Sequence, residues 1–286
     1  VTAGIFSAVK MLKQKIQDQC IVFYGAGSAG IGSAELILQA MVKQGVSEKE
    51  GKKKIFVLGR SGLAHTESKG LDHLKKRFAQ PYENIADWDV KDRQNITLLE
   101  IIKHAKPTVL IGTSTVQGSF SKEIITEMHR YTERPIIFPL SNPTSKTEAV
   151  PEDLIRWTDG QALIATGSPF PSVNYKDNQY DIGQCNNVFI FPGLGLGVLA
   201  SGAKQITDAM FLKASEVLSG HAPILQKKNG ALFPTFDSLR VISIEIAIAV
   251  GSYAINEGIC VDPPSDIEKA VKDMMWEPKY PNIKKL

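Results

Sequence analysis

Between positions 21 and 166 the chain alternates short apolar runs with stretches of helical spacing. The runs are Ile21-Val22-Phe23-Tyr24, Lys54-Ile55-Phe56-Val57-Leu58, Thr108-Val109-Leu110-Ile111-Gly112, Pro135-Ile136-Ile137-Phe138-Pro139-Leu140 and Ala162-Leu163-Ile164-Ala165-Thr166. None alternates apolar with polar residues, which is the pattern of strands buried on both faces of a parallel sheet. Between them Ile31, Ala34, Ile37, Leu38, Met41 and Val42 recur at spacings of three and four, and Ile96 to Ala105, Phe120 to Met128 and Pro151 to Trp157 read as further helices. A leading helix is expected over about 4–17. The strand–helix–strand rhythm predicts an α/β fold, a Rossmann-like doubly wound parallel sheet. Gly45 and the charged segment Glu48 to Lys54 read as a connector, and 63–92 as a surface excursion anchored by Trp88.

Past Phe170 the rhythm changes. Asn174 to Gln179 reads as a polar hairpin-like loop. Pro192-Gly193-Leu194-Gly195-Leu196-Gly197 opens a helix of small residues that permits close approach. Helices follow at 207–218 and about 237–257. The second carries Val241, Ile242, Ile244, Ile246, Ala247, Ile248 and Val250, apolar on most sides, and is expected to be buried all round. Beyond Gly258 the chain is charged and Pro-rich, with Trp276 and Tyr280 as docking points.

The first strand runs straight into Gly25-Ala26-Gly27-Ser28-Ala29-Gly30, a G-x-G-x-x-G, and then into a helix. With those flanks the pattern is a dinucleotide-binding fingerprint. Gly25 permits the tight turn, Gly27 lets backbone approach a diphosphate, and Gly30 lets helix and strand pack closely. The helix start offers unpaired N–H groups and positive dipole to phosphate. The alternative is a glycine-rich turn used only for packing. The second strand ends at Gly59-Arg60-Ser61, where an NAD site usually has an acid bonding the ribose 2′-OH. A guanidinium at Arg60 can bind a 2′-phosphate bidentately, which leans towards tolerance of NADP; alternatively Arg60 is a solvated loop residue. The third strand opens onto Gly112-Thr113-Ser114, which should face the cofactor, because ligands sit beyond the carboxyl ends of such strands.

The totals narrow the class. The 286 residues are 43% hydrophobic and 22% charged, ordinary for a globular protein with a sizeable core. A net charge of +3 without a basic, aromatic-laced stripe argues against nucleic acid. No apolar run reads as a membrane span, and the start has no basic n-region or cleavage site. It also lacks an initiator Met, which points to a fragment. Cys20, Cys185 and Cys260 have no zinc spacing and read as reduced thiols in a cytoplasmic protein. His65, His73, His104, His129 and His221 sit in polar helices or loops and receive no catalytic role.

Three motifs in order resemble malic enzymes: Leu140-Ser141-Asn142-Pro143-Thr144, Ala165-Thr166-Gly167-Ser168-Pro169-Phe170, and Gln184-Cys185-Asn186-Asn187-Val188-Phe189-Ile190-Phe191-Pro192-Gly193. The glycine fingerprint and Trp276-Glu277-Pro278-Lys279-Tyr280 fit the same family, most like its bacterial NAD-dependent branch. The resemblance implies oxidative decarboxylation of L-malate to pyruvate and CO2 with NAD or NADP and a Mg2+ or Mn2+ ion. It also implies a homo-oligomer, dimer or tetramer. In the family a catalytic Tyr, a catalytic Lys, a malate-binding Arg and the metal carboxylates precede the part matched here, so this chain is expected to be inactive alone and to hold no metal ligand.

Carried over residue by residue, Asn142 and Asn186, with Asn187 behind them, fall where family asparagines bind malate, and Asn142 is expected to touch the cofactor as well. An amide can bond both a carboxylate and a hydroxyl. The plain alternatives are an Asx-turn before Pro143 and loop caps at 186–187. The implied layout is a dinucleotide-binding domain over 1–187, a helical segment over 188–257 that packs on an amino-terminal domain, and a tail over 258–286; with that domain absent, the helix around 237–257 is expected to expose an apolar face or find a substitute partner. Malolactic enzyme, which converts malate to lactate, shares these motifs. A non-catalytic dinucleotide-binding module is the reading from a different class.

Overall fold

All five apolar runs form strands, and four shorter strands join them. In chain order they are β1 (Ile21–Tyr24), β2 (Ile55–Gly59), β3 (Gly62–Leu63), β4 (Val109–Gly112), β5 (Ile136–Pro139), β6 (Leu163–Thr166), β7 (Val173–Tyr175), β8 (Asn178–Tyr180) and β9 (Gly183–Gln184). β7 and β8 make a separate antiparallel hairpin, as the polar loop predicted. The others form one sheet in the order β3-β2-β1-β4-β5-β6-β9, parallel except for β3 against β2. The order runs outward from β1 in both directions, so the winding reverses between β1 and β4. Such a reversal opens a crevice at the carboxyl ends of the two strands. The register brings Tyr24, Leu58 and Gly112 level at that edge. The doubly wound α/β fold is the one the sequence predicts.

The computed structural model describes residues 1–277 and Lys279, and the chain divides into two compact units, Val1–Asn186 with Leu218–Phe236, and Asn187–Val217 with Asp237 onward. In the first, α1 (Thr2–Leu12), α2 (Ser28–Lys43), α3 (Glu48–Lys53), α4 (His73–Lys76), α5 (Leu98–Ala105), α6 (Lys122–Tyr131) and α7 (Pro151–Trp157) surround the sheet. Val22, Leu110, Ile137 and Ile164 share one core with Ile101, Ile102, Ile125, Met128, Leu154 and Ile155, so α5, α6 and α7 cover that face. Alternation turns Ile21, Phe23, Ile111 and Phe138 the other way, toward α1 and α2. There Gly4 comes so close to Phe138 that a Cβ would lie 3.0 Å from its ring. Each such side chain fully buried is worth about 1.5–3 kcal/mol.

Several elements differ from expectation. The Glu48–Lys54 connector contains α3, six residues with only Gly51 buried, held by the Ser47 cap and by Lys52–Glu48 and Lys53–Glu50 pairs. Apolar spacing cannot reveal such a helix. The stretch 63–92 is held at more points than an excursion anchored by Trp88 alone: Phe78, Ile85, His65 and Gln80 are buried too, and Gln80 Nε2 donates to the carbonyls of Lys52 and Ile55. Trp88 is buried as its anchoring role predicts and stacks on His104. Val42, the last residue of the predicted stripe on α2, is exposed.

The second unit is helical: α8 (Phe191–Ser201), most of α9 (Asp208–Gly220), α10 (Leu239–Asn256) and α11 (Ile267–Met274). Gly193 and Gly197 of α8 press against α10; added Cβ atoms would lie 2.7 Å from Ile246 Cβ and 2.6 Å from the Ala247 carbonyl. Contrary to expectation, the stretch Phe236–Asn256 is long and apolar enough to cross a membrane by length and composition. Its burial is one-sided, with an apolar residue on the open side. Ile242, Ile246, Ala247, Val250 and Ala254 are buried, whereas Val241 is 57% exposed. The charged segment past Gly258 holds α11, tied to Ala200 and Ala247 through buried Val271. Trp276 is exposed, and Tyr280 lies outside the described residues.

Candidate nucleotide site

The turn after β1 is made by backbone in close contact. Gly25 has φ +129°, a conformation other residues rarely adopt, and an added Cβ would lie 2.5 Å from the Thr113 carbonyl carbon. Thr113 donates its N–H to the Tyr24 carbonyl at 2.8 Å and its Oγ1–H to the Gly25 carbonyl at 3.0 Å, locking the turn to the end of β4. A Cβ on Gly30 would lie 2.1 Å from the Gly25 carbonyl oxygen. Gly27 contrasts with both: nothing lies within 4 Å of its added Cβ, and it caps the 16-residue α2 with no side-chain hydrogen bond. The first N–H groups of α2 therefore have no side-chain acceptor, and Gly27, Ser28 and Ala29 are exposed around them.

Above this turn lies a cleft of about 490 Å³ walled by Tyr24 to Gly27, Leu58 to Ser61, Thr113 to Val116, and Lys75. Of the cofactor residues expected from sequence, Gly25, Ala26, Gly27, Arg60, Ser61, Thr113 and Ser114 line it. Ser28 and Ala29 stand exposed at the head of α2, while Gly30 and Gly112 are buried and do not reach the cleft. At the β2 edge Arg60 is exposed. Lys75 Cε sits 3.4 Å from where a Gly59 side chain would begin, and its Nζ pairs with Asp72 at 2.9 Å. Asp72 also caps α4 by accepting the Lys75 N–H. Hydrogen bonds from the Lys75 backbone and side chain hold the Asp72 carboxyl below its ordinary range.

The amides lie further along the same edge, outside the residues lining the cleft. Asn142 follows β5 and is exposed; its Oδ1 accepts from Ser168 Oγ at the end of β6. Ser168 is thus tied to Asn142. β9 runs beside β6, where Cys185 N–H donates to the Thr166 carbonyl at 2.8 Å and Gln184 Nε2 to the Gly167 carbonyl at 2.9 Å. Asn186 follows directly and is half-buried. Asn187 begins the short turn Asn187–Phe189 of the second unit and is exposed.

Sequence reading missed Lys75 and Glu148. Lys75 lies in Lys75-Lys76-Arg77, which reads as a solvated charge run. Glu148 is fully buried. Its Oε1 accepts from Ser114 N–H and Ser114 Oγ, each at 2.8 Å, and from Ser141 Oγ at 2.5 Å; its Oε2 accepts from Ser141 N–H at 3.2 Å. Ser141 Oγ in turn accepts the Thr115 N–H at 2.8 Å. In the sequence it is one acid in the loop three residues before the Pro151 helix start, with nothing to mark it.

No histidine lines the cleft. His65 departs from the polar setting expected of it: it is buried, with Nε2 2.8 Å from the Arg93 carbonyl. The three cysteines are free, and burial pushes the Cys20 thiol up to about 12 against a smaller opposing pull from Lys54. Among the described residues no three His, Cys, Asp or Glu side chains could hold a metal ion together.

Comparison with known proteins bears on the same residues. The family model described as "Malic enzyme, NAD binding domain" matches residues 1–255. The NAD-dependent malic enzyme of Pectobacterium carotovorum is 45% identical over 283 residues, covering 99% of this chain and 50% of that protein. Among solved structures, Entamoeba histolytica malic enzyme superposes with a TM-score of 0.70 at 27% identity, over 96% of this chain and 50% of that one. The malic enzyme of Pyrococcus horikoshii gives 0.67 at 25% identity, over 96% and 56%. The chain spans about half the length of the curated relatives it matches. Because the family match runs through the sheet, the glycine turn and most of the helical unit, the chain belongs to the malic enzyme family, and the part it holds is that family's NAD-binding domain.

Proposed function

We infer that this chain is the dinucleotide-holding part of an NAD-dependent malic enzyme, a protein that oxidatively decarboxylates L-malate to pyruvate and CO2. The observation that carries the reading is the uncapped start of α2, open at Gly27 over a cleft of about 490 Å³ at the winding reversal of the sheet. Bound NAD supplies the acceptor for the hydride from malate. The backbone N–H groups at Gly27 to Ala29 hold the diphosphate, reinforced by the α2 dipole. The turn Thr113 to Val116 forms the wall on the β4 side. Asn142 and Asn186 bond the carboxylate and hydroxyl of the substrate, with Ser168 fixing the Asn142 amide by donating to its Oδ1, so that the Nδ2–H donors serve the acid. Among the described residues no carboxylate, His or Cys cluster fits the divalent ion that the family resemblance implies.

At the ribose edge, Gly59 leaves out the repelling carboxylate and Arg60 and Lys75 supply two cations, which favours tolerance of a 2′-phosphate and hence of NADP beside NAD. Homo-oligomeric assembly and a cytoplasmic setting complete the proposal, the second in keeping with three free thiols.

The test has two arms. Calorimetric titration of the chain should show NAD binding that is lost when Gly27 is replaced by a bulky residue such as Val. The complete product of the gene, given L-malate, NAD and Mn2+, should yield pyruvate and NADH in equal amounts. Lactate without NADH would make it a malolactic enzyme, and dinucleotide binding without turnover would make it a binding module.

A further inference from the structure

The cleft has a wall that nothing at its own surface explains. Thr115, which lines it, has φ +60°, a left-handed conformation that costs a non-glycine residue about 1 kcal/mol or more. A strained turn persists only where its surroundings hold it. Here the hold is a chain of hydrogen bonds from Thr115 N–H to Ser141 Oγ, and from Ser141 Oγ to the buried Glu148 carboxylate. The same carboxylate takes both the N–H and the hydroxyl of Ser114, and also the N–H of Ser141, the residue before Asn142. Four donors from two loops thus converge on one side chain that no part of the reaction uses.

The sheet is shaped to admit it. A Cβ on Gly112 would lie 2.5 Å from Glu148 Cδ and 2.7 Å from its Oε2. The bare end of β4 is therefore the space the carboxylate occupies. This also explains why Gly112, expected at the cofactor, is buried instead.

We propose that Glu148 is a positioning residue for the nicotinamide half of the dinucleotide: its carboxylate holds the Ser114–Val116 turn and the Ser141–Asn142 loop in one fixed relation. The proposal rests on the cleft being the dinucleotide site. With the diphosphate at Gly27 and the adenosine ribose at the β2 end by Arg60, the rest of the ligand must run toward β4. That is where the turn Thr113 to Val116 stands. Glu148 touches neither ligand nor reacting atoms. It acts through Ser114 and Ser141 alone.

The experiment compares two probes on the same protein: NADH, followed by nicotinamide fluorescence, and ADP, which carries the adenosine and diphosphate but no nicotinamide. Glu148→Leu removes all four acceptor interactions. NADH affinity should fall about tenfold, as expected for polar groups left without partners at a binding wall. ADP affinity should stay within about twofold, since the Gly27 cradle is untouched. Glu148→Gln can keep the three bonds at the Oε1 position and should retain most of the NADH affinity. Ser141→Ala cuts the link to Thr115 without touching the cleft and should reproduce the selective loss in milder form, which keeps the test open if Glu148→Leu folds poorly. A parallel fall in NADH and ADP affinity, or unchanged affinity for both, overturns the role of Glu148. Wild-type protein that binds neither probe overturns the nucleotide site itself, which is a separate result.

Discussion

The two sides of the cleft are built on opposite plans. On the β1 side the turn is fitted by direct contact: Gly25 against the backbone and hydroxyl of Thr113, and Gly30 against the Gly25 carbonyl. On the β4 side the turn hangs from side chains, Ser141 and Glu148, that approach from another loop. At Gly25 and Gly30 such a contact has no room for one more atom. A wall hung from a carboxylate tolerates an isosteric replacement and fails when its acceptors go. The largest expected effect is therefore on the β1 side. Gly25→Ala places a Cβ 2.5 Å from the Thr113 carbonyl carbon at φ +129°. Overpacking and backbone strain together should cost roughly 3 kcal/mol or more. Urea unfolding should show that loss, and NAD binding should drop below detection. An alanine variant with wild-type stability and affinity would mean the turn is slack, and the contrast between the two sides would collapse.

The same contrast explains what could be read in the sequence. β1, the glycine turn and α2 are contiguous, so run, turn and stripe appear side by side, and Ile31, Ala34, Ile37, Leu38 and Met41 are all buried as their spacing implies. α3 and α4, of six and four residues, are too short for periodicity and depend on the caps Ser47 and Asp72. β3 and β9 have two residues each and no pattern to show; they exist because β2 and β6 offer edges to pair with. Glu148 lies 34 positions from Ser114, a relation that only the crossover from β4 to β5 creates. The asparagines stand out only through the resemblance of the motifs around them. Their own hydrogen bonds, such as that of Asn142 with Ser168, need the pairing of strands far apart in sequence.

The β2 edge of the cleft follows neither plan, because Arg60 and Lys75 contribute charge and no close fit. Lys75→Ala should lower NADP affinity about fivefold and leave NAD within about twofold, the size expected of a partly screened charge contact. Paired titrations with the two dinucleotides at low and moderate salt would measure it. The NADP effect should shrink as salt rises. Equal losses for both dinucleotides would show instead that Lys75 packs the cleft, giving this edge the close-fit character of the β1 side.

The smallest expected effect comes from a second glutamate whose chemistry copies Glu148 on a local scale. Glu100 Oε2 accepts from Thr97 N–H at 2.7 Å and from Thr97 Oγ1 at 2.6 Å, and its Oε1 accepts from Lys91 N–H at 2.8 Å; Thr97 caps α5 in return. Burial alone would raise this carboxyl, but the hydrogen bonds from Thr97 and Lys91 outweigh it and hold the group below its usual range. A carboxyl lowered in the folded state adds stability above its unfolded value, near about 4.3, and loses it as pH falls through the folded value. Glu100→Gln should therefore cost about 0.5 kcal/mol at pH 7, the lower end for a helix cap, with the difference fading toward pH 3. Urea unfolding at both pH values would measure it, with NADH affinity followed in parallel. That affinity should not change, because Glu100 serves one helix end and none of its partners belongs to a loop of the cleft. If Glu100→Gln weakened NADH as much as Glu148→Leu, loss of any well-bonded carboxylate would suffice to disturb the cleft, and the special place given to the β4 wall would be lost.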